Sequence, residues 1–250
     1  MTDPRIHERR VVVARERGRT RRRRLGAGVL AAMLAAGGLL ALHSSIFGAR
    51  SVRVIGARHT SRGAIIAAAK LGGSPPLVDV SPAQAARRLK HLPWIASATV
   101  AVSWPSTVTV RVSERVPVAA VALRGEKVAI CDFSGHVIEI LPARPKSLPL
   151  VVVRGRVASP GQVLARNDAR LTAAASALPQ SMVAETSALF YGKGGIELRL
   201  RDGIVALVGS QSLLNDKLVA LATVLSHGGL DGIATIDLRD PAVPVLLPRT

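Results

Sequence analysis

Residues 92–105, "LPWIASATVAVSWP", hold both tryptophans of a chain with six aromatic residues in 250. Pro93 ends what precedes it, because proline cannot donate to a helix and clashes with the turn before it. From Trp94 the run "ASATVAVSW" alternates apolar with small polar residues, the period of a half-buried strand. Pro105 and Ser106 make a turn, and "TVTVRVSE" returns with Val108, Val110 and Val112 on one face. Working outward toward the amino terminus, Ser81 and Pro82 give the cap-then-first-turn order of a helix start. "PAQAARRLKHL" is then a helix with Ala85, Leu89 and Leu92 inward. Ahead of it "TSRGAIIAAAKLGG" reads as another helix, capped by Ser61, with Ile65, Ile66 and Ala69 on its apolar face and a Gly pair as its stop. "SVRVIGA" is a short strand. The predicted order is strand, helix, helix, strand, strand.

Charge divides the chain before that module. The formal net charge is +18, and residues 1–24 alone hold ten Arg against Asp3, Glu8 and Glu16. A block of like charge stays solvated and marks an interaction tail or a membrane-proximal anchor. From Leu25 to Phe47 no residue carries a formal charge. As a helix at 1.5 Å per residue this stretch is about 35 Å long, enough for a hydrocarbon core of about 30 Å. "LHSSIFGAR" lacks the small-residue pair of a signal-peptidase site, so the segment reads as an uncleaved anchor. With "RERGRTRRRR" on its amino-terminal side, the tail stays in the cytoplasm and the remainder is exported, a single-pass type II topology. "GAGVLA" matches a dinucleotide-loop pattern, yet it follows four arginines inside an apolar span instead of a strand, which excludes that reading.

Beyond Pro117 the period is mostly that of strands: "PVAAVALR", "KVAICDF", "HVIEIL", "LPLVVVRG", "ETSALFYGK", "GIELRLR", "IVALVG", "IATIDLR" and "VPVLLPR". Asp132 to Gly135 is the tight loop of a hairpin, with glycine supplying a positive φ. Two helices interrupt, one beginning at Asn167 and one with Leu214, Leu218, Leu221 and Leu225 on a single face that must pack on the sheet. The lone Cys131 lies among apolar neighbours, as a small buried hydrophobe does. The fold class is α+β.

Catalytic signals are poor. The six histidines have no metal-ligand spacing, and no nucleophile elbow or P-loop occurs. Glu114 and Arg115 form a polar corner without a second placed carboxylate for acid–base work. No cofactor is expected. The basic tail lacks interleaved aromatics, so anionic lipid, attracted at about 1 kcal/mol per Lys or Arg near the surface, explains it better than nucleic acid.

"VRVIGA", two helices, Leu92-Pro93-Trp94, Trp104-Pro105, Glu114-Arg115 with Pro117, Asp132 with Gly135 and Asp237-Leu238-Arg239 together resemble the bacterial cell-division family FtsQ, called DivIB in Gram-positive organisms. The resemblance implies a basic cytoplasmic tail (1–24), a transmembrane helix (25–47), a POTRA domain (50–117) and an antiparallel sheet β-domain with packed helices (118–250). In that frame Trp94, Trp104 and Pro105 are structural, the two rings clamping the helices onto the three-stranded sheet. The family implies a non-enzymatic scaffold at the division septum, linking early and late division proteins and the septal wall synthesis machinery. Its β-domain binds small bitopic partners of the FtsB and FtsL type by adding a strand at its last edge. The matching residues are Val243, Val245, Leu246 and Leu247, with Arg239 for an acidic partner residue and Lys193 as a weaker basic match. The chain departs from the proteobacterial pattern at Asp240 and Pro241. Rival readings are another POTRA-bearing envelope assembly or chaperone protein and a cell-envelope hydrolase using Glu114 and His136.

Overall fold

The computed structural model describes residues 26–44, 47–155, 157 and 159–249. The predicted basic tail (1–24) therefore lies outside the described residues, as do Leu25, Ser45 and Ile46 of the predicted span. Helix α1 (residues 26–42) is about 25 Å long at 1.5 Å per residue. Its apolar side chains are bare, with Leu34 69% and Leu40 75% exposed. Among the described residues no helix is long and apolar enough to cross a membrane.

Strand β1 (Ser51–Ile55), helices α2 (Arg62–Ala68) and α3 (Pro82–Leu89), and strands β2 (Ile95–Ser103) and β3 (Thr107–Glu114) follow in the predicted order. The sheet order is β1-β3-β2, with β1 parallel and β2 antiparallel to β3. Both helix starts are set by side chains: the Ser61 hydroxyl accepts from Ala64 N–H and the Ser81 hydroxyl from Gln84 N–H. Ile65, Leu71, Ala85 and Leu89 close over Ile95, Val108 and Val110, all nearly inaccessible to solvent. The stop of α2 is earlier than the Gly pair, because Lys70 itself takes a left-handed φ of 58°.

Strands β4 (Ala119–Ala122), β5 (Val128–Cys131), β6 (Val137–Leu141), β7 (Leu150–Val152), β8 (Thr186–Gly192), β9 (Gly195–Leu200), β10 (Val205–Gly209), β11 (Ile233–Asp237) and β12 (Val245–Pro248) form one nine-stranded sheet. Its order is β12-β11-β10-β9-β8-β7-β4-β5-β6. The expectation of an antiparallel sheet is corrected here: β4 with β7, β7 with β8, and β10 with β11 are parallel pairs. Parallel neighbours need a long crossover, and helices supply two of them. Helices α4 (Arg166–Ser176) and α5 (Gln180–Glu185) carry the chain from β7 to β8, and α6 (Leu214–His227) from β10 to β11. All three cover one face, where Leu171, Met182, Leu218 and Leu221 meet Leu189, Leu198, Val208 and Ile236.

The tryptophans do not clamp the POTRA helices. Trp104 is at the turn of the β2–β3 hairpin, 54% exposed, with its ring edge-on to Phe47 at 5.8 Å. Pro105 follows it in the turn through a cis peptide bond. Trp94 stacks on His59 at 4.0 Å and packs against a cluster in the other sheet formed by Ala120, Val128, Ile130 and Ile138. Small residues and Val, Ile and Leu fill the POTRA core without either ring.

Candidate partner-binding edge

The last strand owes its position to the turn before it. Asp240, Pro241 and Ala242 form that turn, in which the Asp240 carboxylate accepts from Ala242 N–H at 3.0 Å and the Asp240 carbonyl from Val243 N–H at 3.4 Å. The two departures from the proteobacterial pattern thus build the reversal that lays β12 antiparallel along β11. Asp237 pairs with Val245, Ile236 with Leu246 and Thr235 with Leu247. Val243 itself stays in the turn, outside the strand.

β12 has a neighbour on one side only, so one row of its backbone groups faces outward. The direction of each amide follows from two bonds. Arg249 N–H donates inward to Gly232 O at 2.7 Å, and Leu238 N–H donates away from β12, to Leu207 O at 2.9 Å. Because successive amides alternate along a strand, Leu247 and Val245 point at β11, while Pro244, Leu246 and Pro248 point outward. Both prolines occupy positions where the ladder loses nothing. Leu246 offers the one outward N–H of this strand. Val243, Val245, Leu246 and Leu247 are between 43% and 63% exposed, a bare apolar rim around that edge.

The charged residues predicted for the site gather at the same end of the sheet. Arg239 follows β11, and its guanidinium grips Asp237 through Nε at 3.0 Å and through Nη2. Donation from Arg239 holds the Asp237 carboxyl below its usual range. Arg239 is therefore already engaged within its own chain, although its side chain is 61% exposed. Lys193 is exposed in the turn between β8 and β9. Gly209 connects the two places: a side chain there would meet Arg239 Cγ at 3.0 Å and the Gly194 carbonyl at 3.5 Å.

A second polar constellation joins the two sheets. The Glu114 carboxylate accepts from the backbone N–H groups of His59 and Thr60, at 3.0 and 2.8 Å, and contacts His59 Nδ1 at 3.0 Å. Burial opposes its ionisation, yet these donors, Thr60 foremost, outweigh it and bring the pKa to about 2. Arg115 N–H donates to Trp94 O at 2.8 Å, and Arg115 Nη1 donates to Asp132 Oδ2 at 2.6 Å. Asp132 also accepts from Ser134 and from His136 N–H. A carboxylate so fully provided with donors is a structural acceptor; a general acid needs its pKa raised toward neutrality.

One buried cation escaped the sequence reading. Lys217 is 2% exposed on α6, and its ammonium donates to the carbonyls of Val208 and Ser210 at 2.9 and 3.0 Å. Its spacing of three from Leu214 and four from Leu221 was the available signal, since it shares their face. Among the described residues no cluster of His, Cys, Asp and Glu has the makings of a metal site.

Residues 47–115 match the family model "POTRA domain, FtsQ-type", and residues 120–239 match "Cell division protein FtsQ/DivIB, C-terminal". The chain belongs to the FtsQ/DivIB family of cell-division proteins. This is a family of division proteins and not of enzymes. The cell division protein FtsQ of Caulobacter vibrioides is 29% identical over 212 residues, 82% of this chain and 66% of its own. That of Streptomyces bingchenggensis is 37% identical over 144 residues, 56% of this chain and 54% of its own. The match thus spans about two thirds or less of these relatives' length. The major extracytoplasmic domain of the trans isomer of DivIB from Geobacillus stearothermophilus superimposes with a TM-score of 0.33 at 21% identity, over 46% of this chain and 98% of that one.

Proposed function

We propose that the chain is a non-enzymatic scaffold of the division septum that captures a strand from a small bitopic membrane partner of the FtsB or FtsL type along the outer edge of β12. The observation that carries this reading is the edge itself: an outermost strand, apolar on both faces and exposed, with an outward N–H at Leu246. Backbone pairing there would hold the partner and the valine and leucine side chains would select it. Arg239 enters as the rim of the site, presented by Asp237, and Lys193 as a further cation at that end.

The wider arrangement belongs to the same proposal. Residues 25–47 anchor the chain in the cytoplasmic membrane as a single-pass type II protein, supported by the uncharged run and by the bare apolar surface of α1. Residues 1–24 lie on anionic lipid in the cytoplasm, while a POTRA domain (50–117) and a β-domain (118–250) stand outside. Through its partners the chain would link early and late division proteins to septal wall synthesis; nucleic acid has no place in the scheme. The hydrolase alternative is disfavoured by Glu114, whose lone pairs are occupied by His59 and Thr60.

Paired proline substitutions test the edge. Leu246→Pro removes an outward donor and keeps the ladder to β11; it is expected to reduce recovery of the partner from solubilised membranes about tenfold while thermal stability is preserved. Val245→Pro breaks an inward bond and is expected to loosen β12 itself. Unchanged recovery with Leu246→Pro would remove strand addition at this edge.

A further inference from the structure

We infer that the tip of the β2–β3 hairpin, with Trp104 and Pro105, is embedded in the interfacial layer of the bilayer that α1 enters, so that the POTRA domain lies against the lipid headgroups in a fixed orientation. This inference rests on the reading of α1 as the membrane anchor. It begins from the exposure of a residue that sequence logic puts in the core: Trp104, 54% accessible, at a hairpin turn. One exposed ring is ordinary, but a ring that joins other bare apolar side chains in one patch marks a contact surface.

What covers it follows from what it touches. Its ring meets Phe47, centroid to centroid 5.8 Å at 62°, and Phe47 is the last residue of the predicted span, whose uncharged run continues to Ala49. No slack separates that run from the POTRA domain. Gly48 bridges to Pro76, Ala49 N–H donates to Pro75 O at 2.8 Å, and Ser51 N–H donates to Ser106 O at 3.1 Å. At the end of α1, His43 Nε2 lies 3.5 Å from Asp79 Oδ1. The exit of α1, the loop carrying Val78 (40% exposed) and the hairpin turn are therefore one contiguous surface.

A bilayer occupied by α1 has its rim near Phe47, and the ring contact brings Trp104 to within about one headgroup layer of the same depth. Tryptophan is the side chain suited to that layer, with an apolar body for the acyl boundary and an indole N–H for the headgroups. The occupant is thus lipid. A second copy of the chain and a protein partner remain as alternatives that the measurement separates.

Two tryptophans make the test direct. Trp94→Phe leaves Trp104 as the sole indole, and Trp104→Phe leaves Trp94, which is packed between the two sheets and serves as control. The full chain is reconstituted in phosphatidylcholine–phosphatidylglycerol vesicles, and emission is quenched from the lipid side by nitroxide at shallow acyl positions and from the water side by iodide. Shallow nitroxide is expected to lower Trp104 emission roughly twofold or more, leaving Trp94 little changed, with iodide weak on both. Should Trp94→Phe fold poorly, the difference between the unsubstituted chain and Trp104→Phe gives the same quantity. Strong iodide quenching with no nitroxide effect, in vesicles that carry the chain on flotation, would overturn the hairpin contact and leave the anchor standing. Protection from both quenchers would overturn it in favour of a protein covering. Failure of the chain to float with vesicles would overturn both readings.

Discussion

Glu114 shows how much a single position can carry. It ends β3, and by accepting from His59 and Thr60 it ties the loop after β1 to the end of the central strand of the same sheet. Its folded-state pKa, about 2, lies below the ordinary 4.5. The stabilisation from its ionised form is thus fully present above about pH 5 and is lost as pH falls toward 2. Denaturant midpoints for the native chain and Glu114→Gln are expected to differ by a constant amount near neutrality and to converge in acid; parallel curves down to pH 2 would contradict this. Cys131 makes a complementary case. Burial, then the neighbouring Asp132, pushes its thiol to about 12, so alkylation by iodoacetamide at pH 8 is expected only on unfolding. Lys217→Met leaves the buried Val208 carbonyl and the partly buried Ser210 carbonyl without their donor and is expected to cost about 2 kcal/mol in chemical denaturation. Sequence identified Cys131 as buried from its apolar neighbours. It missed Lys217, because a lysine on a leucine face reads as polar unless the carbonyls beneath it are known, and those come from β10 and the residue that follows it.

Elements were legible where their signals are local. All nine strands of the large sheet and the caps at Ser61 and Ser81 follow from alternation and cap chemistry, which involve residues a few positions apart. Strand direction did not, since β10 joins β11 in parallel only because α6 crosses the sheet between them. The short helix α5 was likewise hidden, being too brief to express a period. The edge proposed to bind a partner could be marked in the sequence as an apolar run between prolines; which of its amides face outward required the register. Backbone proximity gives the sharpest prediction at this scale. Gly56 ends β1 with φ +93°, and an added Cβ would stand 2.0 Å from Val112 O in β3. Gly56→Ala is expected to lower stability by about 2–4 kcal/mol through left-handed strain and a clash with backbone, measured as a fall in the urea midpoint. A loss below about 0.5 kcal/mol would mean that β1 and β3 do not pair as described.

For the whole molecule the consequential feature is that two sheets share a polar and aromatic joint. Trp94 leaves the POTRA module and enters the cluster of Ala120, Val128, Ile130 and Ile138, while its neighbour in space, His59, is held by Glu114. Arg115, half of the polar corner read from the sequence, donates across to Asp132 at 2.6 Å with 15% of its side chain exposed. The Asp132 carboxyl is kept below its usual range against the effect of burial by Ser134, Arg115 and His136. Removing one partner of such a pair costs more than the pair contributes, because the other is left buried and charged. Arg115→Ala is therefore expected to lower the stability of the joint by about 3 kcal/mol and, because each sheet keeps its own core, to split one cooperative melting transition into two. Trp94→Ala should act in the same direction by emptying the aromatic half of the contact. Calorimetry in detergent reads the number of transitions, and small-angle scattering reads whether the envelope lengthens as the two sheets come apart. A single transition at a uniformly lower temperature, with an unchanged envelope, would show instead that the sheets are locked by contacts other than Arg115–Asp132 and Trp94. The edge at β12 would then be held at a fixed angle to the three-stranded sheet regardless of this joint.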